Sequence, residues 1–136
     1  MAAFTASSNS WAKPSSWLIA FMGVFMLANT VRALADPAGF AAYMGLPLTV
    51  PANHAFVQVY ALRALFLGLC ALGLLWRGET RALALFAFAA IVMPVGDAIL
   101  TASNGAAPLI VARHGATAIV LAVTAALLFN RVAKGS

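Results

Sequence analysis

The chain has 136 residues, 64% of them hydrophobic and 8% charged, with a mean hydropathy of +0.98. A soluble domain of this length is about 45–50% apolar and about 25% charged, so polar residues are too few here to cover a surface facing water. The net charge of +5 suits a membrane chain, where surplus Lys and Arg set orientation and meet anionic headgroups, and gives no reason to expect a nucleic acid partner. The expected class is all-α and integral to the membrane, a single domain over residues 1–136 with the lipid bilayer as its first partner.

Crossing a bilayer takes about 20 mostly apolar residues. The first candidate span covers 16–35. Lys13, the apolar run from Trp17 to Ala28 and the triplet Ala33-Leu34-Ala35 imitate a secretory leader with its cleavage site. The long, nearly uncharged stretch before the run and Arg32 beside the supposed cut argue for a span instead.

Next comes a loop with structure of its own. Asp36 suits an N-cap and Pro37 the first helical position, while Gly45 and Pro47 supply the stop. Phe40, Tyr43 and Met44 stand at i, i+3 and i+4, on one face. The spacing predicts a short interfacial helix over 37–44, lying across the mouth of the bundle.

The second span is predicted at 55–76, the third at 82–101 and the fourth at 109–130. Arg77-Gly78-Glu79-Thr80-Arg81 joins the second to the third, and residues 102–108 join the third to the fourth. Neither connection can hold a domain, so a compact four-helix bundle of antiparallel neighbours is expected. Lys13, Arg77, Arg81, Arg131 and Lys134 all fall at one end, and the opposite loops, 36–54 and 102–108, carry no Lys or Arg. By the positive-inside rule both termini are cytoplasmic and the other end faces the periplasmic, extracellular or lumenal side.

Hydrocarbon penalises polar groups, so those within the spans are informative. They are Asn29 and Arg32, Gln58 and Arg63, Asp97, and Arg113, His114 and Thr117. At about 1.5 Å per residue, Arg63 lies roughly 12 Å deep and Asp97 and His114 roughly 6–8 Å deep, counted from the outer helix ends. All fall at one level, in the outer half, which predicts a shared polar chamber roofed by the short helix. Arg63 is too deep to reach water and Asp97 is the only deep carboxylate, so an Arg63–Asp97 ion pair is expected, either as part of a site or as a registry lock between helices. Arg32 and Arg113 either line the chamber, making it attractive to an anion, or snorkel to the surface. Pro94 frees a carbonyl one turn earlier and Gly96 permits close approach, so a kink that widens the chamber is expected in the third span. The rows Ala64/Gly68 and Ala118/Ala122/Ala126 suit close helix packing, within the bundle or between copies in a homo-oligomer. Cys70 reads as an apolar packing residue.

A His and an Asp in one poorly hydrated pocket can divide into acid and base. His114 and Asp97 are the candidate catalytic pair, with Arg63 holding Asp97 or meeting developing charge. Arg113, Arg32, Asn29, Thr117, Gln58, Phe40 and Tyr43 are candidate substrate-binding residues. Two histidines and three acids, spread as they are, make a poor metal site. No G-x-S-x-G, H-E-x-x-H, phosphate loop or nucleotide fingerprint occurs, and no cofactor is called for. Internal repeats, the mark of many transporters, are not evident.

In order along the chain, "DPAGFAAYMGLP", "ALRALFLGL", "PVGDAIL" and "ARHGA" resemble the small four-span bacterial and fungal membrane proteins grouped as a domain of unknown function, near the DoxX-like membrane proteins. The likeness runs over about residues 36–120 and rests on Pro37, Phe40, Gly45, Leu46, Pro47, Arg63, Gly96, Asp97 and His114. It implies four helices and a polar cluster of Arg63, Asp97 and His114, and leans toward small lipophilic substrates. Three functions follow as expectations. One is a cofactor-independent isomerase, cyclase or ring-opening enzyme acting on a lipophilic or anionic amphiphilic molecule. Another is a binding or transport module for such a molecule. The third is an accessory subunit whose polar cluster only specifies packing.

Overall fold

A computed structural model describes residues 13–50 and 53–135. The helices are α1 (Pro14–Ala35), α2 (Pro37–Met44), α3 (His54–Trp76), α4 (Thr80–Ala90), α5 (Val92–Ser103) and α6 (Pro108–Ala133). Four helical stretches are long and apolar enough to cross a membrane, the third being α4 and α5 together, Thr80–Ser103. These match the spans expected from sequence to within a few residues at each end, and the fold is all-α among the described residues. Large apolar side chains such as Trp17, Phe21, Phe56, Phe66, Phe88 and Leu109 point outward and are exposed, as the lipid-facing side of a bundle requires.

α1 packs against α3, and α6 packs against both α4 and α5. The α1–α3 seam is close because glycine lies on both sides. A Cβ added at Gly68 would sit 3.0 Å from the backbone oxygen of Gly23. Further along, the Thr30 hydroxyl donates to the Ala61 carbonyl at 3.2 Å, tying the same two helices. Ala64 and Gly68 are buried there, as their spacing suggests. Ala122 and Ala126, by contrast, are exposed on α6. The face of α6 that packs carries Leu121, Thr124, Ala125 and Leu128 instead.

The two packed groups meet mainly at one end. There Ile19, Ala71, Leu75, Leu83, Ala84, Ala87, Ala125 and Leu128 form a shared core across α1, α3, α4 and α6. Both ends of the described chain lie at this end, since Arg131 donates to the hydroxyls of Ser15 at 2.9 Å and Ser16 at 3.1 Å. Toward the opposite end the groups diverge. The third span breaks at Ile91, whose N–H reaches only Phe88 at 3.3 Å, three residues before Pro94. Proline has no N–H to offer the Ala90 carbonyl, so the ladder opens there. Beyond the break α5 stays with α6 and has no close packing against α3.

Gly96 takes no part in packing, because a Cβ at that position would meet nothing within 4 Å. The expectation of close approach there is corrected, and the bend stems from Pro94 alone.

The glycines yield a matched test. Gly68→Ala forces a Cβ against backbone, while Gly73→Ala on the same helix meets nothing within 4 Å. Overpacking costs about 1–3 kcal/mol, so Gly68→Ala lowers the melting temperature of the detergent-solubilised protein. Gly73→Ala is neutral or raises it, through better helix propensity. Equal melting of both variants would refute the close α1–α3 seam.

Candidate ligand cavity and acid–base pair

α2 starts and stops as its sequence dictates. The Asp36 carboxylate accepts from the Gly39 N–H at 2.9 Å. Gly45 takes a left-handed φ of 87°, which glycine adopts without penalty. The N–H groups of Gly45 and Leu46 then return to the carbonyls of Ala42 and Ala41, each at 3.0 Å. That closing turn leaves the last carbonyls of α2, on Tyr43 and Met44, without backbone partners. α6 supplies them. Arg113 donates to the Tyr43 carbonyl, and His114 Nε2 lies 3.3 Å from the Met44 carbonyl. A cation at a helix C-terminus also opposes the partial negative charge there.

Beneath α2 is a cavity of about 290 Å3. Each long helix contributes one face at helical spacing. α1 gives Met22, Phe25, Met26 and Asn29, and α3 gives Tyr60, Arg63, Ala64 and Leu67. α5 gives Met93, Pro94 and Asp97, and α6 gives Arg113, His114, Thr117 and Leu121. Tyr43 and Met44 of α2 form the roof. The residues nearest α2 are polar and those one to two turns further in are apolar. A smaller space of about 40 Å3 continues inward past Met22, Met26, Leu67 and Met93 to Ile19, Phe86 and Ala90.

The sequence placed Asn29, Arg63, Asp97, Arg113, His114, Thr117 and Tyr43 at this chamber, and the structure brings all seven to one cavity. Three others lie outside it. Phe40 is 2% exposed and packs in a core with Ala33 and Ala61, its ring 5.4 Å from that of Tyr60. Gln58 is exposed on α3. Arg32 is exposed and lays its guanidinium over the Tyr43 ring at 4.1 Å. Arg113 stacks on the same ring at 3.8 Å, so Tyr43 is held by two cations.

The expected Arg63–Asp97 ion pair is not formed. Among the described residues the ion pairs are Arg77–Glu79 at 3.8 Å and His114 Nδ1–Asp97 Oδ2 at 3.9 Å. Asp97 sits on α5, which packs on α6 and not closely on α3, so the two charges stand on separate walls of one cavity. Arg63 shares the cavity but has no hydrogen-bond or ion-pair partner among the described residues.

The His114–Asp97 contact has a definite chemical content. A carbonyl only accepts, so His114 Nε2 beside Met44 is the nitrogen that carries a proton. In the neutral ring Nδ1 then presents a lone pair toward Asp97. A lone pair facing a carboxylate is repulsive, and a proton on either group turns that repulsion into attraction. At 3.9 Å no direct hydrogen bond joins them. His114 is 6% exposed, and the Asp97 side chain is half-buried.

Sequence reasoning missed Tyr60 and three of the methionines, Met22, Met26 and Met93. Tyr60 stands one turn before Arg63 and its ring closes the α3 wall. Four of the five methionines, Met22, Met26, Met44 and Met93, line this one cavity. Met22 and Met26 at i, i+4, with Asn29 three further on, were the available signal.

Fold and site together define a class: a multi-pass helical membrane protein with a cavity polar at one end and apolar at the other. The family described as "Domain of unknown function (DUF4267)" matches residues 19–128, and the chain belongs to that family. A relationship to the DoxX-like proteins is not shown by this match. No curated protein and no solved structure matches the chain.

Replacing Arg113 by Met keeps bulk and removes the donor to α2. A hydrogen bond to a charged group contributes about 1.5–3 kcal/mol. Amides of 40–46 should therefore exchange deuterium at least about tenfold faster, while α1 and α3 remain as protected as before. Unchanged exchange at 40–46 would show that α2 is held by something else.

Proposed function

We propose that this protein is a cofactor-independent acid–base enzyme, an isomerase, cyclase or ring-opening catalyst, acting on a small amphiphilic molecule within the membrane. The observation that carries the reading is the approach of His114 Nδ1 to Asp97 Oδ2, 3.9 Å apart on the wall of a cavity of about 290 Å3. A substrate atom seated at this pair can lose a proton to one member and regain one from the other, the division of labour that general acid–base catalysis requires. Arg63 and Arg113 face the same space and would stabilise negative charge developing on a carbonyl or leaving oxygen. The Met44 carbonyl, fixing His114 Nε2, keeps the reactive nitrogen aimed at the cavity.

The cavity opens toward the side opposite the termini in this reading. Basic residues at the other end, Lys13, Arg77, Arg81, Arg131 and Lys134, favour cytoplasmic termini. A binding or carrier role is the second reading, and the partnerless Arg63 supports it, since it leaves a cation free for a ligand.

The two readings part in cells. Organic extracts are compared by mass spectrometry from cells producing the native chain, Asp97→Asn or His114→Gln. For an enzyme, one isomeric or ring-opened product falls by about a hundredfold or more in both variants, and its precursor accumulates. For a binder or carrier, extracts agree in composition and only the amount of compound copurifying with the protein changes. Identical extracts, with both variants folded and inserted, would overturn the enzyme reading.

A further inference from the structure

The enzyme reading leaves the chemical identity of the ligand open. Resting on that reading, we propose that the ligand is a small single-chain carboxylate, gripped at its head by Arg63 and Asn29, with its chain in the methionine-lined arm, and that it enters sideways from the bilayer between α3 and α5.

The head is argued from unmet polar groups. Asn29 is 7% exposed, lines the cavity and makes no hydrogen bond among the described residues. Its amide atoms are not sealed in the packing, so they are open to the cavity and available to a polar ligand atom. Arg63, on the α3 wall, is exposed and also has no hydrogen-bond or ion-pair partner among the described residues. Arg113 adds a second cation and Asp97 the one acid, so the fixed charges of the cavity favour an anion. A guanidinium presents parallel N–H groups that match the two oxygens of a carboxylate.

The tail is argued from shape and lining. Seven residues separate Met22 from Asn29, and Tyr60 from Leu67, so the cavity runs about 10 Å along the helices. Its far part is Met22, Met26, Leu67, Met93 and Leu121, and it continues into the wholly apolar space that ends at Phe86. Methionine is flexible and polarizable and moulds to chains of varied shape. The volume of about 290 Å3 equals that of roughly ten waters at about 30 Å3 each. A methylene is of similar size, so a chain of about ten carbons fits and a two-chain phospholipid does not.

The route is argued from helix packing. α1–α3 and α5–α6 are closed seams, while α3 and α5 diverge after Ile91. Arg63 on α3 and Met93 and Asp97 on α5 line the cavity, and Arg63 and Met93 are exposed. An amphiphile lying in one leaflet reaches the polar end directly, head first.

The test is photolabelling of the full chain in phosphatidylcholine nanodiscs with decanoate bearing a diazirine on its last carbon. The expected labels fall on Met22, Met26, Leu67 or Met93. Excess decanoate removes them, and decanol, decyl phosphate and decyltrimethylammonium do so far less well. Arg63→Gln lowers labelling by about ten- to a hundredfold, and Arg63→Lys restores part of it. Equal competition by decanol or decyl phosphate, wild-type labelling in Arg63→Gln, or labels confined to the lipid-facing Phe21 and Phe66 would overturn the proposal. Labelling that persists in Asp97→Asn, together with unchanged extracts from that variant, sinks the enzyme reading and leaves the carboxylate site standing. Lost product in Asp97→Asn without decanoate labelling sinks the carboxylate and leaves the enzyme.

Discussion

Two consecutive side chains on α6 hold the polar end of this protein together. Arg113 and His114 meet the carbonyls of Tyr43 and Met44, the last two of α2. Within a bilayer those carbonyls have no water to turn to, so their capture is close to obligatory. One pair of contacts thus seats the roof, places Tyr43 between two guanidiniums, and fixes which imidazole nitrogen bears the proton. The lone pair facing Asp97 follows from a helix-capping requirement. The geometry of the proposed acid–base pair grows from the same force that ends a helix.

The cavity itself depends on a second constraint, at Pro94. The opposite end is closed by Ile19, Leu75, Leu83 and Leu128. The helical ladder is interrupted near Ile91, where Pro94 has no N–H to offer the Ala90 carbonyl. α4 touches α3, whereas α5 packs on α6 and not closely on α3, so Arg63 and Asp97 stand on separate walls. The carboxylate is left to His114, and the arginine to whatever enters.

Much of this was legible in the residues. Depth along each span put Asn29, Arg63, Asp97 and His114 at one level, and rise per residue is insensitive to packing detail. Asp36-Pro37 and Gly45-Leu46-Pro47 fixed both ends of α2, because capping chemistry is local. What failed was azimuth. Arg32 was left open between lining the chamber and reaching the surface, and its exposed side chain turns to the Tyr43 ring. Phe40 shares a helix face with Tyr43 but is consumed by the core. Charge arithmetic paired Arg63 with Asp97, since it knows which groups need partners and not which helices diverge. Met22, Met26 and Met93 passed unnoticed because residue by residue they look like any apolar filler in a span.

At the centre of the site His114 faces Asp97 through Nδ1 while Nε2 donates to the Met44 carbonyl. Nitrogen-15 spectroscopy of the imidazole in nanodiscs reads both nitrogens directly. The geometry predicts a neutral ring that carries its proton on Nε2, with Asp97→Asn moving the Nδ1 resonance and leaving that of Nε2 in place. A neutral ring protonated at Nδ1, or an Nδ1 resonance indifferent to Asp97→Asn, would contradict it.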